Sequence, residues 1–310
     1  MLRRLFASAV VVGCLAWPTC AQTVDELIER AQARLAGWAD AGPLKKIEAA
    51  FRRQVTLDFA ETPIEDVVTF VADFAAVNIV LDRNAVPAER RPITLKVKDA
   101  SLEAAMNHIL RQAQLTYGVV NEAVFITNAE GLKGSAGEPV LRARDLRYLA
   151  VMAGEKDAGN LIAYERERRR AARDRIRAAL EKPVTLDFAD TPIQDVCTFV
   201  ADFAAMNIAL DPHAAPRGRE GIKITLKVKD IPLKNALDFV LKQARLKSAI
   251  WDEALFVSND AGLAGREQEA ADLLKAAREA LQAGHDVKAL DLLETLRIEY
   301  SDTQAYRQAR

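Results

Sequence analysis

The residues that most often bind metal ions or act in catalysis are few in this 310-residue sequence. Its three histidines, His108, His213 and His285, are far apart, and none has a partner ligand three or four residues further along. Zinc sites usually take several ligands at such short spacings. A metal site would need aspartates and glutamates from several elements, so we predict no metal site.

The sequence also lacks an evident nucleophile and a phosphate-binding loop. GLKGSAG at 131–137 is rich in glycine, but a P-loop needs lysine and then a hydroxyl residue directly after its last glycine. No G-x-S-x-G motif occurs, and Cys197 takes the place of Val68 in a similar segment, which predicts a small core residue. We therefore predict that the protein is not an enzyme, with no catalytic residue and no cofactor.

Two stretches of the chain are nearly identical. VTLDFAETPIEDVVTFVADFAAVNIVLD at 55–82 and VTLDFADTPIQDVCTFVADFAAMNIALD at 184–211 share 23 of 28 residues. ITLKVKD then occurs at both 93–99 and 224–230, after a loop that is two residues longer in the second copy. The chain therefore repeats one unit, which we place at 54–128 (the first copy) and at 184–262 (the second copy).

Each copy predicts the element order β-α-β-β-α-β-β, an α+β fold. The opening strand alternates, and T-P-I-E at 62–65 or T-P-I-Q at 191–194 predicts a helix start with threonine as N-cap. Hairpin turns are expected at Asn121-Glu122 and Asp252-Glu253. The first helix should bury residues at i, i+3, i+4, i+7 and i+10, namely Ile64, Val67, Val68, Val71 and Phe74, or Ile193, Val196, Cys197, Val200 and Phe203. The second helix should bury Leu102, Ala105, Met106, Ile109, Leu110 and Ala113, or Leu233, Ala236, Leu237, Val240, Leu241 and Ala244.

The order VTLDFADTPIQDV, FVADFAAMNIALD, ITLKVKDIPLKNALDFVLKQARL and LFVS resembles the secretin and TonB N-terminus short domain. Both copies match that pattern over their whole length. The resemblance implies a periplasmic module that docks protein partners, as found at the N-terminus of outer-membrane secretins and signalling TonB-dependent receptors. It covers the copies alone, so transport activity is not implied.

The first 21 residues predict a signal peptide and hence export to the periplasm. MLRR is basic, LFASAVVVGCLAW is an apolar run too short to span a bilayer, and Thr19 and Ala21 have the spacing of a cleavage site. A buried first helix is one alternative. Lipidation of Cys14 in VVGC is another, and it would tether the protein to a membrane. No later segment predicts a transmembrane helix.

Three other segments flank the copies. Residues 22–53 predict one or two helices beside the first copy, interrupted near Gly42-Pro43. Residues 129–183 predict a loop and then a charged helix, either a solvated spacer with i, i+4 ion pairs or a site for an anionic partner. Residues 266–310 predict a helical hairpin that breaks at Gly284 and resembles one tetratricopeptide repeat. Such a hairpin must pack on a neighbour, pack on another chain or stay loosely held.

The charge balance of 43 basic and 44 acidic residues argues against a general nucleic-acid-binding protein. We predict a periplasmic, non-enzymatic adaptor for envelope proteins, with a secretion or pilus assembly component as partner by family analogy alone. One alternative is an envelope structural protein that self-associates. Another is a ligand-binding protein with its site between the copies, which a deep pocket lined by clustered ionisable groups would favour.

Overall fold

A computed structural model of the protein describes residues 42–86, 92–134, 141–152, 158–215 and 221–309. These residues form a mixed α+β structure, as the sequence predicts. The signal peptide predicted at 1–21, with Cys14, and most of the lead segment at 22–53 lie outside the described residues. No helix in the described part of the chain is long and apolar enough to cross a membrane.

The elements follow the same order in both copies. Helix α1 (Gly42–Arg52) leads into the first copy, which consists of β1 (Gln54–Thr62), α2 (Ile64–Ala75), β2 (Ile79–Leu81), β3 (Ile93–Ser101), α3 (Leu102–Gln112), β4 (Thr116–Val120) and β5 (Ala123–Thr127). Three helices connect the copies, α4 (Ala129–Gly134), α5 (Ala143–Met152) and α6 (Ala158–Leu180). The second copy consists of β6 (Pro183–Pro192), α7 (Ile193–Ala204), β7 (Ile208–Leu210), β8 (Lys223–Pro232), α8 (Leu233–Ala244), β9 (Lys247–Trp251) and β10 (Ala254–Ser258). Last come α9 (Asp260–Gln282), α10 (Asp286–Glu299) and α11 (Gln304–Ala309).

Each copy contains two small sheets. β1 pairs antiparallel with β3, and β2, β5 and β4 form a three-stranded sheet in which β2 and β5 are parallel. The second copy repeats both arrangements, β6 with β8 and β7-β10-β9. The turns Asn121-Glu122 and Asp252-Glu253 have φ values of 47° to 61° at all four residues, the left-handed geometry of a two-residue hairpin. Both predicted turns are confirmed.

The predicted apolar stripes form the cores, with one correction in each copy. Phe74 and Phe203 are 37% and 46% exposed, and Ala75 and Ala204 are buried in their place. With 3.6 residues per turn, the tenth residue after Ile64 lies about 80° from it around the helix axis, and the eleventh only about 20°. The i+10 position was therefore the wrong core position. All the other predicted positions of the four helices are buried.

The predicted threonine caps are absent. Strand β1 continues through Thr62 and β6 through Thr191, so the N-cap residues are Pro63 and Pro192, and no side chain accepts a helix N–H there. Each threonine pairs with the neighbouring strand, Thr62 with Ile93 for example. Each threonine therefore belongs to a strand and lies one residue before the N-cap position of the helix.

Helix α6 is not the solvated spacer predicted within 129–183. Arg168 is 8% exposed, and it pairs with Glu253 of the second copy at 2.5 Å. Arg169 lies 3.4 Å from Glu299 in α10. These ion pairs join separate elements. Pairs within the helix are present as well, such as Arg170 with Glu167 at 3.4 Å, at a spacing of three residues instead of the predicted four. Part of the expected loop before α6 is helical as well, in α4 and α5.

The C-terminal hairpin packs against the rest of the same chain. Gly284 has φ 73° and separates α9 from α10 where the sequence predicts the break. Tyr300 is 1% exposed, and its hydroxyl accepts a hydrogen bond from Trp251 Nε1 at 3.2 Å. Packing on a neighbour is thus the option that the structure shows for this hairpin.

The two copies share a hydrophobic core. One face of the β7-β10-β9 sheet packs inside the second copy, but Ala209, Trp251 and Phe256 on its other face belong to the core of the first copy. Arg111 of α3 lies 3.5 Å over the Trp251 ring and forms an ion pair with Asp252. The contact between the copies is therefore both apolar and ionic.

This contact yields a stability prediction. Arg111→Met should lower the free energy of unfolding by about 2–4 kcal/mol. The substitution removes the counter-ion of the Asp252 carboxylate, which is largely buried. Urea denaturation followed by tryptophan fluorescence measures the change. Lys242 occupies the equivalent position in the second copy and is exposed. Lys242→Met should therefore stay within about 0.5 kcal/mol of the parent protein, and equal losses in both variants would contradict the assigned role of Arg111.

Candidate functional site

A cavity of about 1050 Å³ lies between the first copy, the β9–β10 turn of the second copy and the C-terminal helices. Residues of α3, β4, α5, α9 and α10 line it, together with Trp251, Asp252 and Glu253. Small-molecule sites are commonly of this size, and they often lie between domains. Many of the lining side chains are ionisable, so the cavity has the character that favours a ligand-binding site.

One wall of the cavity is the contact between α3 and Asp252. Asn107 Nδ2 donates a hydrogen bond to Asp252 Oδ1 at 3.3 Å, and Arg111 donates to Oδ2. Burial opposes ionisation of this carboxyl group, but the charge of Arg111 and these hydrogen bonds outweigh it and lower the pKa of Asp252. The carboxylate is therefore charged and fully engaged by the protein.

His108 contributes to this wall as a neutral side chain. Burial, and then the charge of Arg111, lower the pKa of His108 to about 4. Its Nε2 lies 3.0 Å from the backbone carbonyl of Asp252, and a carbonyl oxygen only accepts, so Nε2 carries the proton. Nδ1 then accepts a hydrogen bond from Arg111 Nη1 at 3.4 Å. Both ring nitrogens are used in packing, which argues against a general base.

Arg144 provides a positive charge in the cavity. Within the part of the chain that the structure describes, its Nε has no hydrogen-bond partner and its guanidinium forms no ion pair. Burial opposes its charge, but nearby acidic side chains raise the pKa of Arg144. The neighbouring basic side chains do have partners. Arg142 donates a hydrogen bond to Thr116 Oγ1 at 2.9 Å, and Lys288 Nζ lies 3.9 Å from the Asp145 carboxylate. The Arg144 guanidinium can therefore pair with a carboxylate or phosphate group that enters the cavity.

The opposite side of the cavity is acidic. Glu269 of α9 accepts a hydrogen bond from Trp251 Nε1 at 3.1 Å. Burial raises the pKa of Glu299 to about 7. The charge of Arg169 acts to lower this pKa, whereas the charge of Asp252 raises it further. Glu299 therefore changes its protonation near neutral pH, between a hydrogen-bond donor and an anion.

The remaining candidates for chemistry do not form a catalytic arrangement. Cys197 lies in the core of the second copy, and burial raises the pKa of its thiol to about 12, as befits the small core residue that the sequence predicts. His213 lies near the cavity, with Nε2 3.0 Å from the carbonyl oxygen of Gln112, whereas His285 is the N-cap of α10. No group of three or more His, Cys, Asp or Glu side chains within the described ranges could hold a metal ion.

Each copy also presents the same group of aromatic rings to solvent. In the first copy a ring pair in edge contact, with centroids 5.6 Å apart, adjoins a stacked pair at 6.1 Å, and in the second copy the distances are 5.7 and 6.2 Å. The two helix residues of each group are between 37% and 47% exposed. We call these groups the first phenylalanine cluster (Phe59, Phe70 and Phe74) and the second phenylalanine cluster (Phe188, Phe199 and Phe203).

Neither cluster is predicted from the sequence, because the helical stripe places Phe74 and Phe203 in the cores. A signal was present in the sequence. Phe70 and Phe74 are four residues apart, outside the stripe that α2 buries, and both recur unchanged in α7. Repetition of a residue that the core does not need indicates a surface role.

Comparison with known proteins adds no assignment. No family model matches this chain, and no curated protein sequence matches it either. Functional inference therefore depends on the contacts described above.

The buried carboxyl group in the cavity predicts a pH-dependent effect on stability. The pKa of Glu299 is raised from 4.5 to about 7. The contribution of its protonated carboxyl group to the free energy of unfolding is therefore fully present below pH 4.5 and is lost as the pH rises through 7. Glu299→Gln should therefore raise the free energy of unfolding at pH 8, by about 1–3 kcal/mol. The same substitution should change the free energy of unfolding little at pH 4.5.

Urea titrations at the two pH values measure this difference. Glu294→Gln serves as the control, because Glu294 lies on the same helix but pairs with the exposed Arg297 at 2.5 Å. An equal effect of Glu299→Gln at pH 4.5 and pH 8 would show that Glu299 does not titrate in this range.

Proposed function

We propose that this chain is a non-enzymatic adaptor that binds proteins of the cell envelope in the periplasm. On this proposal the two copies are tandem modules of the secretin and TonB N-terminus short type, joined by the charged helix α6. Residues 266–310 add a contact of tetratricopeptide type. The observation that supports the proposal is the presence of the same exposed phenylalanine cluster on both copies.

Exposed aromatic rings in a contiguous group are typical of protein–protein contact surfaces, where aromatic residues supply much of the binding energy. Phe70 is 47% exposed, and the core of its copy is complete without it because Ala75 and Val71 fill the inner face of α2. The same holds for Phe199 in α7. Folding therefore does not explain these rings, whereas a partner that covers them would.

Two equal clusters on one folded body also suggest a mode of binding. A partner with two matching sites, or a partner that is itself repeated, can occupy both clusters at once. The second contact is then intramolecular, so that overall affinity exceeds that of either cluster alone. This is a physical benefit of duplicating the unit that a single copy lacks.

Site-specific photocrosslinking tests the proposal. The photoreactive residue p-benzoylphenylalanine replaces Phe70 in one strain and Phe199 in another, and cells that make the full chain are irradiated. Both positions should crosslink to the same envelope polypeptide, because the two clusters present the same side chains. Leu281 is 51% exposed on α9, away from both clusters, and the probe placed there should give no such product.

A substitution next to the probe sharpens the result. Phe74→Ser, combined with the probe at Phe70, should reduce the crosslinked product at least about tenfold, since it removes a stacked ring from the contact. The proposal fails if the Leu281 probe captures the same polypeptide equally well. It also fails if neither cluster gives a product.

Binding of a small anionic ligand in the cavity is a second candidate function. The Arg144 guanidinium, which forms no ion pair within the described residues, is the observation that favours it, because an arginine in the cavity wall gains a charge-assisted hydrogen bond when an anion enters. The acidic groups on the α9 side would limit the ligand to one whose negative charge is confined to one end.

Isothermal titration calorimetry with inorganic phosphate and with glycine tests this second candidate. Glycine carries its carboxylate beside an ammonium group that can face the acidic side. At least one probe should bind the parent protein, and Arg144→Met should weaken that binding by about 10- to 100-fold. Arg170→Met is the matched control, since Arg170 pairs with the exposed Glu167 on α6. Absence of binding for both probes, or equal binding to the two variants, would exclude this role for Arg144.

A further inference from the structure

The contact between the two copies has a defined polar frame. Asn207 of the second copy accepts a hydrogen bond from the Lys98 backbone N–H at 2.9 Å and donates one to the Lys98 carbonyl at 3.1 Å. Beside it, Lys96 Nζ lies 2.8 Å from Asp202. One face of the first copy, formed by β3 and α3, thus binds the outer sheet face of the second copy.

An apolar pair completes this contact. The His108 ring of α3 stacks on Phe256 of β10 with centroids 6.1 Å apart. Ala209 of β7 lies on the same sheet face as Phe256 and is only 3% exposed. The first copy therefore covers the part of this sheet face around Phe256 and Ala209, and the C-terminal helices cover the part around Trp251.

The repeat places an equivalent of each contact surface at the opposite end of the chain. The outer sheet face of the first copy corresponds to the covered face of the second copy. Its equivalents of Asp202, Asn207, Ala209 and Phe256 are Asp73, Asn78, Val80 and Phe125. The β8–α8 face of the second copy corresponds to the β3–α3 face, and its equivalents of Lys96, Lys98 and His108 are Lys227, Lys229 and Phe239.

These two equivalent surfaces are open. Val80 is 50% exposed and Phe239 is 49% exposed, and Asp73, Asn78 and Lys229 are exposed as well. The cores of the two copies do not use either apolar residue. Val80 and Phe239 are thus large apolar side chains left in solvent at positions where the internal contact buries their counterparts.

The open surfaces are also complementary to each other. The two lysines, the aspartate and the asparagine of this frame are unchanged between the two sets, so that Lys227 can face Asp73 and Asn78 can bind the Lys229 backbone. Other polar residues of the internal contact differ, since Ser101 and Asn107 correspond to Pro232 and Asp238. The other partners become larger and more apolar. Phe239 takes the place of His108, and Val80 takes the place of Ala209. Within the described ranges Lys227 forms an ion pair with Asp187, in which both side chains are more than half exposed. Such a surface pair is weak and can be exchanged.

We propose that a second copy of this chain docks head to tail by repeating the internal contact. The β8–α8 face of one molecule binds the β2-β5-β4 sheet face of the next, with Lys227 on Asp73 and Phe239 against Val80 and Phe125. Because the two surfaces differ, the contact is heterologous and leaves one open surface at each end of any assembly that does not close into a ring. Association then gives a series of oligomers that grows with protein concentration.

One difference between the copies makes this association reversible. The internal contact is fixed by Arg111 and Asp252, whose equivalents are Lys242 and Asn121. A lysine facing an asparagine side chain lacks the buried ion pair and the planar stacking of arginine on Trp251. The copies of one chain therefore stay joined while the contact between chains forms and breaks.

Sedimentation velocity over a concentration series, with a charge exchange, tests the proposal. The parent chain should show a weight-average mass that rises with concentration. Lys227→Asp alone, or Asp73→Lys alone, should weaken self-association at least about tenfold, because each places like charges opposite each other. The double variant D73K/K227D should recover it, and so should an equal mixture of the two single variants.

Two controls separate this contact from other surfaces. Lys275→Asp changes an exposed lysine of α9 and should leave the mass distribution unchanged. Phe70→Ser alters the first phenylalanine cluster and should also leave it unchanged, so failure of this proposal is distinguishable from failure of the adaptor function. A parent chain that stays monomeric throughout would overturn the proposal. So would single variants that associate like the parent chain, or a double variant that does not recover.

Discussion

The insertion of the Asp252-Glu253 turn against α3 and α6 is the contact on which the rest of the structure depends. Glu253 accepts a hydrogen bond from Ser101 Oγ at 2.8 Å and pairs with Arg168 at 2.5 Å. A two-residue turn can present two adjacent carboxylates because both residues have left-handed backbone geometry, which directs their side chains away from the strands. Charges held this way are costly to desolvate, so they are stable only where all their partners are in place. The turn therefore fixes one orientation of the second copy and thereby shapes the cavity.

The differences between the copies are informative because the two cores are so similar. Where the first copy has Arg111 at the contact, the second has Lys242, which faces solvent. The corresponding hairpin turn of the first copy has Asn121 and is exposed, whereas the turn of the second copy has Asp252 and is only partly exposed. The buried stripe of each repeated helix keeps small or apolar residues in both copies, whereas these two differences lie where one copy meets the other. Residues that recur without serving either core, such as Phe70, then require a different explanation.

The sequence predicts the local structure well and the long-range contacts poorly. Periodicity identifies the strands, the helices and both hairpin turns because these depend on neighbours within a few residues. It wrongly places Phe74, the tenth residue after Ile64, in the core. The eleventh residue, Ala75, is the one that lies on the buried face of the helix. It also treats Arg168 as solvated, because charge in a helix indicates exposure unless its partner is known, and Glu253 is 85 residues away. The cavity combines residues of more than five separate elements, which no local pattern brings together.

The buried charges explain how a chain with small cores can hold a large polar cavity open. An apolar interface would gain by closing on itself, since burial of each exposed apolar surface is favourable. Here the walls are joined by directional contacts instead, such as Arg169 with Glu103 and Glu299 at 3.7 and 3.4 Å. Such pairs lose their partners if the walls approach or separate, so they favour one spacing. The charged walls of the cavity are therefore held at a fixed distance by ion pairs rather than by apolar packing.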